Sequence, residues 1–380
     1  MLIDNFPYSF KWIQFIAFFV AIVISYLVTP YVQQRSLKLG LLDKPSKRKL
    51  HKVAVPRLGG VSIYLSLFLT SLMFIFAYFD QSTISFSAVT LLGIFAGGTI
   101  IFILGFLDDI DPLPASLKLL LQILAASIAW LLGVRILQIV NPFYHADFLL
   151  FKLSLGQSTI YFNLLFSYIV TIIWIVGITN AINLVDGMDG LATGISLISA
   201  IAIWAVAVDY RINQPSGALM AAILAGALLG FLRWNFNPAR IFLGDSGAYL
   251  TGFVLAALTV SSVVKKVTFS VMTPVLFLIF ALPILDTAFA VARRIMKGKS
   301  ILEPDKEHLH HRILSFGLSQ KITSYVLYIL SATLGYFATC FISYKSSLRY
   351  LVLIAIVVSI AFFYTFIINW KHQKFLRDFF

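Results

Sequence analysis

Three carboxylates follow a long apolar run in the segment GFLDDIDP, residues 105–112. Asp108 and Asp109 are adjacent, so on a helix their side chains point about 100° apart and cannot face one ligand in the same way. One of the pair can therefore face a reacting group while the other binds a partner or a metal. Acids beside lipid are costly and usually functional, so the cluster indicates a site, although a single Asp at a helix edge can also be a cap.

The segment NAINLVDGMDGLATG, residues 180–194, carries a polar side chain at every third position. Such spacing aligns side chains in a 3₁₀ turn, and Gly187 and Gly190 favour a broken or tightened helix end. Non-helical backbone at membrane depth must be buried or line a cavity, so the segment is a candidate site. The alternative is a plain turn rich in Asn and Gly between two spans. The polar residues are Asn180, Asn183, Asp186 and Asp189.

Asp245 stands at the expected start of a span in RWNFNPARIFLGDSGAYLTG, residues 233–252. Gly244 and Gly247 flank it, and small residues at a helix start allow a phosphate to approach the backbone N–H groups. The carboxylate can hold a hard divalent cation through oxygen. Alternatively, Asp245 is only the N-cap of the span.

Three of the six histidines occur within four residues in EPDKEHLHHRILSFG, residues 303–317. Zinc sites usually space their ligands and complete the set with Cys or a carboxylate, and HLHH lacks the i, i+4 spacing of zinc proteases. The oxygen-rich clusters elsewhere in the chain favour Mg²⁺ instead. We therefore interpret the basic residues of this segment as phosphate donors: His308, His310, His311 and Arg312.

A basic segment, DKPSKRKLHKVAVPRLGG at residues 43–60, precedes another expected span. It either sets membrane topology or contacts phosphate or anionic lipid. Its Arg57 joins Lys118 and Arg312 as basic groups near the carboxylates. Carboxylates, an oxygen-bound cation and basic groups are the parts that phosphoryl transfer requires. One substrate is expected to be lipid-borne, because the clusters lie at the membrane surface.

The composition indicates a polytopic, all-α integral membrane protein. Of 380 residues, 60% are hydrophobic and 12% charged, and the mean hydropathy is +0.92, whereas soluble domains are about half apolar and a quarter charged. Cys340 is the single cysteine, which excludes an intrachain disulfide. Apolar runs of about 20 residues can span a bilayer. The eleven predicted spans are 10–32, 60–79, 88–107, 117–139, 161–183, 190–208, 217–233, 245–263, 270–292, 322–343 and 348–369.

Twenty of the 29 Lys and Arg residues follow odd-numbered spans. This bias predicts that those segments face the cytoplasm, with the N-terminus outside and the C-terminus inside. The net charge of +13 then reflects topology and lipid phosphate, not nucleic acid. No linker divides the chain, so residues 1–380 are expected to form one transmembrane domain. Its expected cytoplasmic site loops are about 33–59, 108–117, 183–190, 233–245 and 293–320.

In this order, the five clusters resemble those of the polyprenyl-phosphate N-acetylhexosamine-1-phosphate transferases, over about residues 43 to 317. That family includes bacterial enzymes that move GlcNAc-1-phosphate from UDP-GlcNAc to undecaprenyl phosphate, phospho-N-acetylmuramoyl-pentapeptide transferases and dolichyl-phosphate enzymes. In HLHHR, Leu309 interrupts the histidines. This pattern is more similar to the GlcNAc-1-phosphate branch than to the muramoyl-pentapeptide branch, which typically has three consecutive histidines.

The resemblance implies a role for each matching residue. Asp108 and Asp109 are the expected catalytic pair, one of which deprotonates the lipid phosphate. Asp111 takes no such role, because relatives with a third Asp carry it three residues after the pair; it is expected to be a local helix cap. The expected diphosphate-binding residues are Lys118, His308, His310, His311 and Arg312. The expected nucleoside-binding residues are Asp186, Gly187, Met188, Asp189, Asn235 and Phe242, and the expected metal ligands are Asn183 and Asp245.

The resemblance further implies a Mg²⁺-dependent enzyme, with Mn²⁺ able to substitute, in the bacterial cytoplasmic (inner) membrane. Undecaprenyl phosphate would attack the β-phosphate of a UDP-N-acetylhexosamine and release UMP, as the first lipid-linked step toward a polymer such as O-antigen or teichoic acid. A covalent phospho-aspartyl intermediate, a muramoyl-pentapeptide donor and a homodimer remain open. The alternative of another class is a transporter or ion channel.

Overall fold

The computed structural model describes residues 8–43, 53–78, 88–140, 159–161, 163–209, 212–263, 269–298 and 308–343. These residues are predominantly helical, with two short antiparallel strand pairs that an all-α prediction omits. The helices are α1 Tyr8–Lys38, α2 Gly59–Tyr78, α3 Ala88–Ile110, α4 Ala115–Leu131, α5 Leu164–Val185, α6 Leu191–Val208, α7 Pro215–Asn235, α8 Gly244–Leu258, α9 Phe269–Ile279, α10 Ala281–Met296, α11 Leu309–Leu314 and α12 Gln320–Ser343. The strands are β1 Leu42–Asp43, β2 Val55–Pro56, β3 Gln138–Val140 and β4 Thr159–Tyr161.

Six described helices are long and apolar enough to cross a bilayer, which confirms the prediction of a polytopic helical membrane protein. Two shorter apolar helices, Gly59–Phe74 and Ala115–Leu131, accompany them. The predicted span 348–369 lies outside the described residues. The six are Trp12–Lys38, Ala88–Ile110, Leu164–Val185, Leu191–Val208, Pro215–Asn235 and Gln320–Cys340.

The predicted span 270–292 is not one continuous helix. It consists of α9 and α10, which are separated at Phe280, where the backbone leaves the helical region with φ −107° and ψ 18°. The predicted span 245–263 also changes character, because α8 ends at Leu258 and a π-helical turn, Thr259–Val263, follows it. Hydropathy alone does not detect the break at Phe280, because this residue is as apolar as its neighbours.

Helix α8 lies at the centre of the bundle. Every residue from Ser246 to Leu258 is buried, and the helix packs against α2, α3 and α5. The start of α8 is also tied to the backbone after β2: the Gly59 N–H donates to the Phe242 carbonyl (3.0 Å) and the Gly60 N–H to the Leu243 carbonyl (2.9 Å). The first turn of α8 is therefore fixed by its neighbours.

Glycines allow this close packing. A methyl group on Gly105 of α3 would lie 2.5 Å from the Ser246 Cα and 2.6 Å from the Asp245 carbonyl carbon. A methyl group on Gly60 of α2 would overlap the backbone at Gly247 and Ser246. Because backbone atoms cannot move aside as flexible side chains can, α2 and α3 reach the start of α8 only at residues without a Cβ.

We predict that Gly105→Ala separates α3 from α8 and destabilises the protein by about 1 to 3 kcal/mol, as overpacking does. The matched control is Gly177→Ala, also within a helix, where an added Cβ meets nothing within 4 Å. Its thermal midpoint should be unchanged or slightly higher, since Ala loses less backbone entropy than Gly in a helix. Thermal unfolding of the purified protein in detergent measures both. Equal midpoints for the two variants would contradict the packing described here.

Candidate active site

Asp109 caps α8 from a different helix. One carboxylate oxygen accepts the Asp245 N–H (2.8 Å), and the other accepts the Ser246 N–H (3.0 Å) and the Ser246 hydroxyl (2.6 Å). The side chain has no solvent exposure. A carboxylate at this position satisfies the unpaired N–H groups of the first turn and matches the positive end of the helix dipole. Asp109 therefore sets where α8 begins.

Asp108 faces a different set of partners. Its Oδ1 accepts the Leu113 N–H (2.8 Å), and its Oδ2 accepts a hydrogen bond from Lys118 Nζ at 2.6 Å. The predicted cap at Asp111 is wrong: Asp111 is exposed, Pro114 is the N-cap of α4 and no side chain caps that helix. The Leu113 N–H ahead of α4 is instead bound by Asp108, which reaches it across the bend at residues 111–114.

Asp245 completes the group of carboxylates. Its Oδ1 accepts the Asn183 side-chain N–H at 2.6 Å, and its carboxyl group lies within hydrogen-bond reach of that of Asp108. Two carboxyl groups this close need a proton or a cation between them. Since the nitrogen of Asn183 is engaged, its amide oxygen is the atom that this side chain can offer to a cation. Asn183 comes from α5, so three helices meet here.

Arg57 lies beside three carboxylates. Its guanidinium nitrogens are 3.8 Å from Asp43, 3.9 Å from Asp109 and 4.0 Å from Asp245. The pairing of β1 with β2 brings Asp43 opposite Val55 and places Arg57 directly after the second strand. From the sequence alone, Arg57 is only one of several basic groups, because the carboxylates beside it in the fold come from distant segments. The rest of the predicted basic segment, residues 44–52, lies outside the described residues.

The Asp-Gly turn, residues 186–190, follows the end of α5 at Val185. Because Asn180 and Asn183 lie within α5, the four polar residues do not share one 3₁₀ turn. Asp189 accepts N–H groups from the Asn237 side chain (2.9 Å) and the Ala239 backbone (3.0 Å), so it holds the loop before α8. Gly190 has φ +74°, a conformation that favours glycine. Met188 is buried, Asp186 is half-buried and Gly187 is exposed.

Asn235 and Phe242 also secure this loop. Asn235 is 2% exposed; its oxygen accepts the Thr193 hydroxyl (2.7 Å) and its nitrogen donates to the Ile241 carbonyl (2.9 Å). Its polar atoms are thus bound within the protein. Phe242 is half-buried, and its backbone N–H donates to the Pro56 carbonyl at 2.8 Å. These contacts favour a loop-positioning role for Asn235 over direct contact with a nucleoside.

The histidine segment reaches the Asp-Gly turn. The His310 ring packs over Gly187, where a Cβ would overlap the His310 Nε2. Burial, together with the neighbouring His311, lowers the pKa of His310 to about 3, so the ring is neutral at physiological pH. His308 and His310 are buried, whereas His311 and Arg312 are half-buried. Each of the last two has a polar, ring or electrostatic contact.

Asp286 is a buried carboxylate that the sequence interpretation missed. It accepts the Leu309 N–H at 2.8 Å and lies 3.0 Å from His308 Nδ1. A signal was present, since a lone Asp in the apolar stretch ALPILDTAFA is costly at membrane depth. The sequence interpretation also missed Gln122, the partner of Asn180; their amides bond each other reciprocally between α4 and α5.

The donor set fits Mg²⁺ only in part. No group of three His, Cys, Asp or Glu side chains among the described residues is arranged to hold a metal by itself. Mg²⁺ usually takes one or two carboxylates and completes its octahedron with waters and substrate phosphates. Asp245 and the Asn183 oxygen, with Asp108 in contact, are such an incomplete set of oxygen ligands. The site therefore suits a cation that arrives with a diphosphate.

Comparisons with known proteins agree with this arrangement. A sequence profile described as glycosyl transferase family 4 matches residues 91–263. A probable undecaprenyl-phosphate N-acetylglucosaminyl 1-phosphate transferase of Bacillus subtilis is 34% identical over 370 residues, which cover 95% of this chain and 95% of the relative. The chain belongs to glycosyl transferase family 4. The family predicted from the sequence is confirmed, and this membership supports an enzyme over a transporter or channel.

Two further relatives of this glycosyl transferase family 4 member carry related names. A decaprenyl-phosphate N-acetylglucosaminephosphotransferase of Mycolicibacterium smegmatis is 32% identical, covering 90% of this chain and 85% of the relative. An undecaprenyl-phosphate alpha-N-acetylglucosaminyl 1-phosphate transferase of Escherichia coli is 26% identical, covering 91% of this chain and 89% of the relative. Both cover the carboxylate, turn and histidine segments described above.

We predict that Asp186→Asn stabilises the protein at neutral to alkaline pH. Burial, and then repulsion from Asp245 and Asp109, raises the pKa of Asp186 well above its usual value. A raised pKa in the folded state means that stability is lost as the pH rises through that pKa. The gain in the Asn variant should therefore be present at about pH 8 and absent at about pH 4, near the pKa of a free Asp.

The measurement is the thermal midpoint at both pH values, with a chelator present so that no divalent cation screens the carboxylates. Asp111→Asn is the matched control, because it removes an exposed carboxylate. A gain of the same size at both pH values would show that the effect of Asp186→Asn does not come from its ionisation.

Proposed function

We propose that this protein transfers N-acetylglucosamine-1-phosphate from UDP-GlcNAc to undecaprenyl phosphate and releases UMP. The observation that carries the proposal is the meeting of Asp108, Asp109 and Asp245 at the start of α8, with Lys118 and Arg57 beside them. Cation-holding oxygens, basic groups and a helix N-terminus are what a diphosphate requires. The printed names of the relatives supply the sugar and the lipid.

In this proposal the donor diphosphate lies at the start of α8. Asn183 and Asp245 would hold Mg²⁺, which would supply charge neutralisation for the diphosphate. Lys118, which donates a hydrogen bond to Asp108 in this structure, turns its ammonium toward the diphosphate. Arg57, whose distances of 3.8 to 4.0 Å are long for hydrogen bonds, is free to exchange a carboxylate for a phosphate oxygen.

Asp108 is the better candidate for the base. Asp109 is committed to three donors on α8, two of them backbone N–H groups that cannot turn away. Asp108 has a flexible partner in Lys118 and can accept a proton from the lipid phosphate once Lys118 binds the diphosphate. An oxygen of the lipid phosphate then bonds to the β-phosphorus, the bond between the β-phosphorus and the bridging oxygen breaks, and UMP leaves with that oxygen on its phosphate. Attack by Asp108 to form a phospho-aspartyl intermediate is the alternative route.

The membrane placement follows the charge bias of the sequence. We propose eleven spans in the bacterial cytoplasmic membrane, with the N-terminus outside and the site facing the cytoplasm, where nucleotide sugars are available. Support comes from the twenty Lys and Arg residues that follow odd-numbered spans and from Arg57 and Lys118 at the site itself. Substitution of Mg²⁺ by Mn²⁺ and a homodimer remain predictions.

We predict that Asp108→Asn and Asp245→Asn each lower the rate of transfer by at least about a hundredfold, as loss of one preorganised polar group commonly does. The assay is UMP release by purified, folded protein with Mg²⁺, UDP-GlcNAc and undecaprenyl phosphate. Removal of Mg²⁺ by a chelator should also stop release, and added Mg²⁺ should restore it. Asp111→Asn, which changes an exposed acid on the same bend, should keep the wild-type rate.

Near-wild-type UMP release by Asp108→Asn or Asp245→Asn would overturn the assignment of that residue. The donor is tested separately with UDP-GlcNAc, UDP-GalNAc, UDP-QuiNAc-like sugars and UDP-MurNAc-pentapeptide. We expect UDP-GlcNAc to be used best, because Leu309 interrupts the histidines and the relatives carry GlcNAc in their names. Preference for the pentapeptide donor would instead identify a peptidoglycan enzyme.

A further inference from the structure

Asp286 of α10 holds the start of the histidine helix α11. The residue is 7% exposed, and its two oxygens have separate partners. Oδ1 accepts the backbone N–H of Leu309, the first residue of α11, and Oδ2 lies 3.0 Å from His308 Nδ1. A carboxylate that binds both the backbone and the ring of adjacent residues fixes the position of the segment and the rotation of the imidazole.

This contact also selects the protonation of His308. An ionised carboxylate only accepts hydrogen bonds, so His308 Nδ1 must carry the hydrogen that it shares with Asp286. In the neutral ring, His308 Nε2 is then an acceptor. Replacement by Asn would place an NH₂ group against one of two N–H donors, those of Leu309 and His308. One of the two hydrogen bonds is therefore lost or the ring must change tautomer.

The influence of Asp286 on His308 extends through His310 to the Asp-Gly turn. The rings of His308 and His310 are parallel within 3°, with centroids 5.8 Å apart. His310 is 3% exposed and fills the space above Gly187. Its Nε2 is buried and has no hydrogen-bond partner among the described residues, so no hydrogen bond at this atom holds the ring. The ring packs against Gly187, His308 and His311, and the His311 centroid lies 4.3 Å away.

We propose that Asp286 is a positioning residue that, through His308, holds His310 against the Asp186–Gly187 turn. In this arrangement Asp286 acts on the turn through the histidine segment, by its contacts with His308 and with the Leu309 N–H. The expected effect on turnover rests on the proposed function, because it assumes that the turn and the histidines bind the donor together. The expected effect on the position of His310 does not rest on the proposed function.

The position of His310 is tested by labelling with diethyl pyrocarbonate, with the modified histidines read by peptide mass spectrometry of the full chain in detergent. Asp286→Asn should raise the labelling of His308 and His310 several-fold over the wild type. The control is Ser199→Ala, which removes another buried hydrogen bond near α10, from the Ser199 hydroxyl to the Ile279 carbonyl. Its labelling should match the wild type. Unchanged labelling in Asp286→Asn would overturn the proposal.

A second variant covers the case in which Asp286→Asn does not fold. His308→Phe keeps a ring that can pack against His310 but has no N–H to donate to Asp286. The proposal expects His310 to become labelled in His308→Phe. Protection of His310 at the wild-type level in this variant would show that the bond to Asp286 does not position it.

The catalytic consequence is measured as kcat/KM for UMP release. Asp286→Asn should lower it by about tenfold to a hundredfold, as loss of a carboxylate that orients a functional histidine commonly does. Because Asp286 acts through His308, Asp286→Asn combined with His308→Phe should be no slower than His308→Phe alone. Additive losses would overturn the proposed route. Absence of UMP release by the wild type would refute the proposed function and leave the labelling result to decide the position of His310.

Discussion

The carboxylate of Asp109 at the start of α8 is the contact on which the site depends. Without solvent exposure, it binds two backbone N–H groups and a hydroxyl of the next helix. Since the partners are 136 and 137 residues away along the chain, this cap is also a long-range crosslink between α3 and α8. It brings Asp245 next to Asp108 and Asn183, and the glycines of α2 and α3 make the approach sterically feasible.

The same arrangement places like charges together. Asp108, Asp109, Asp186 and Asp245 repel one another unless protons, Lys118, Arg57 or a metal compensate. A protein that binds a cation and a diphosphate in the same place benefits from this imbalance, because ligand binding relieves it. We therefore expect the stability of the protein to depend on pH and on divalent cations.

The sequence was informative about membrane segments and about which residue types gather on one side. Long apolar runs, the Asp108–Asp109 pair and the Asp-Gly turn are local signals. The different roles of Asp108 and Asp109 are not a local signal. Only the contact with α8 shows that Asp109 is a helix cap, whereas Asp108 lies beside Lys118. The bound amide of Asn235 and the role of Asp286 likewise depend on partners from distant segments, which no single-sequence pattern encodes.

The most direct test of the central claim follows the phosphorus atoms of the donor. Purified protein is incubated with undecaprenyl phosphate, Mg²⁺ and UDP-GlcNAc labelled with ³²P at either the α- or the β-phosphate. The account predicts that β-label enters the lipid fraction while α-label leaves as UMP. Retention of both labels in water-soluble UDP, with only the sugar reaching the lipid, would contradict it, as would the absence of any labelled lipid.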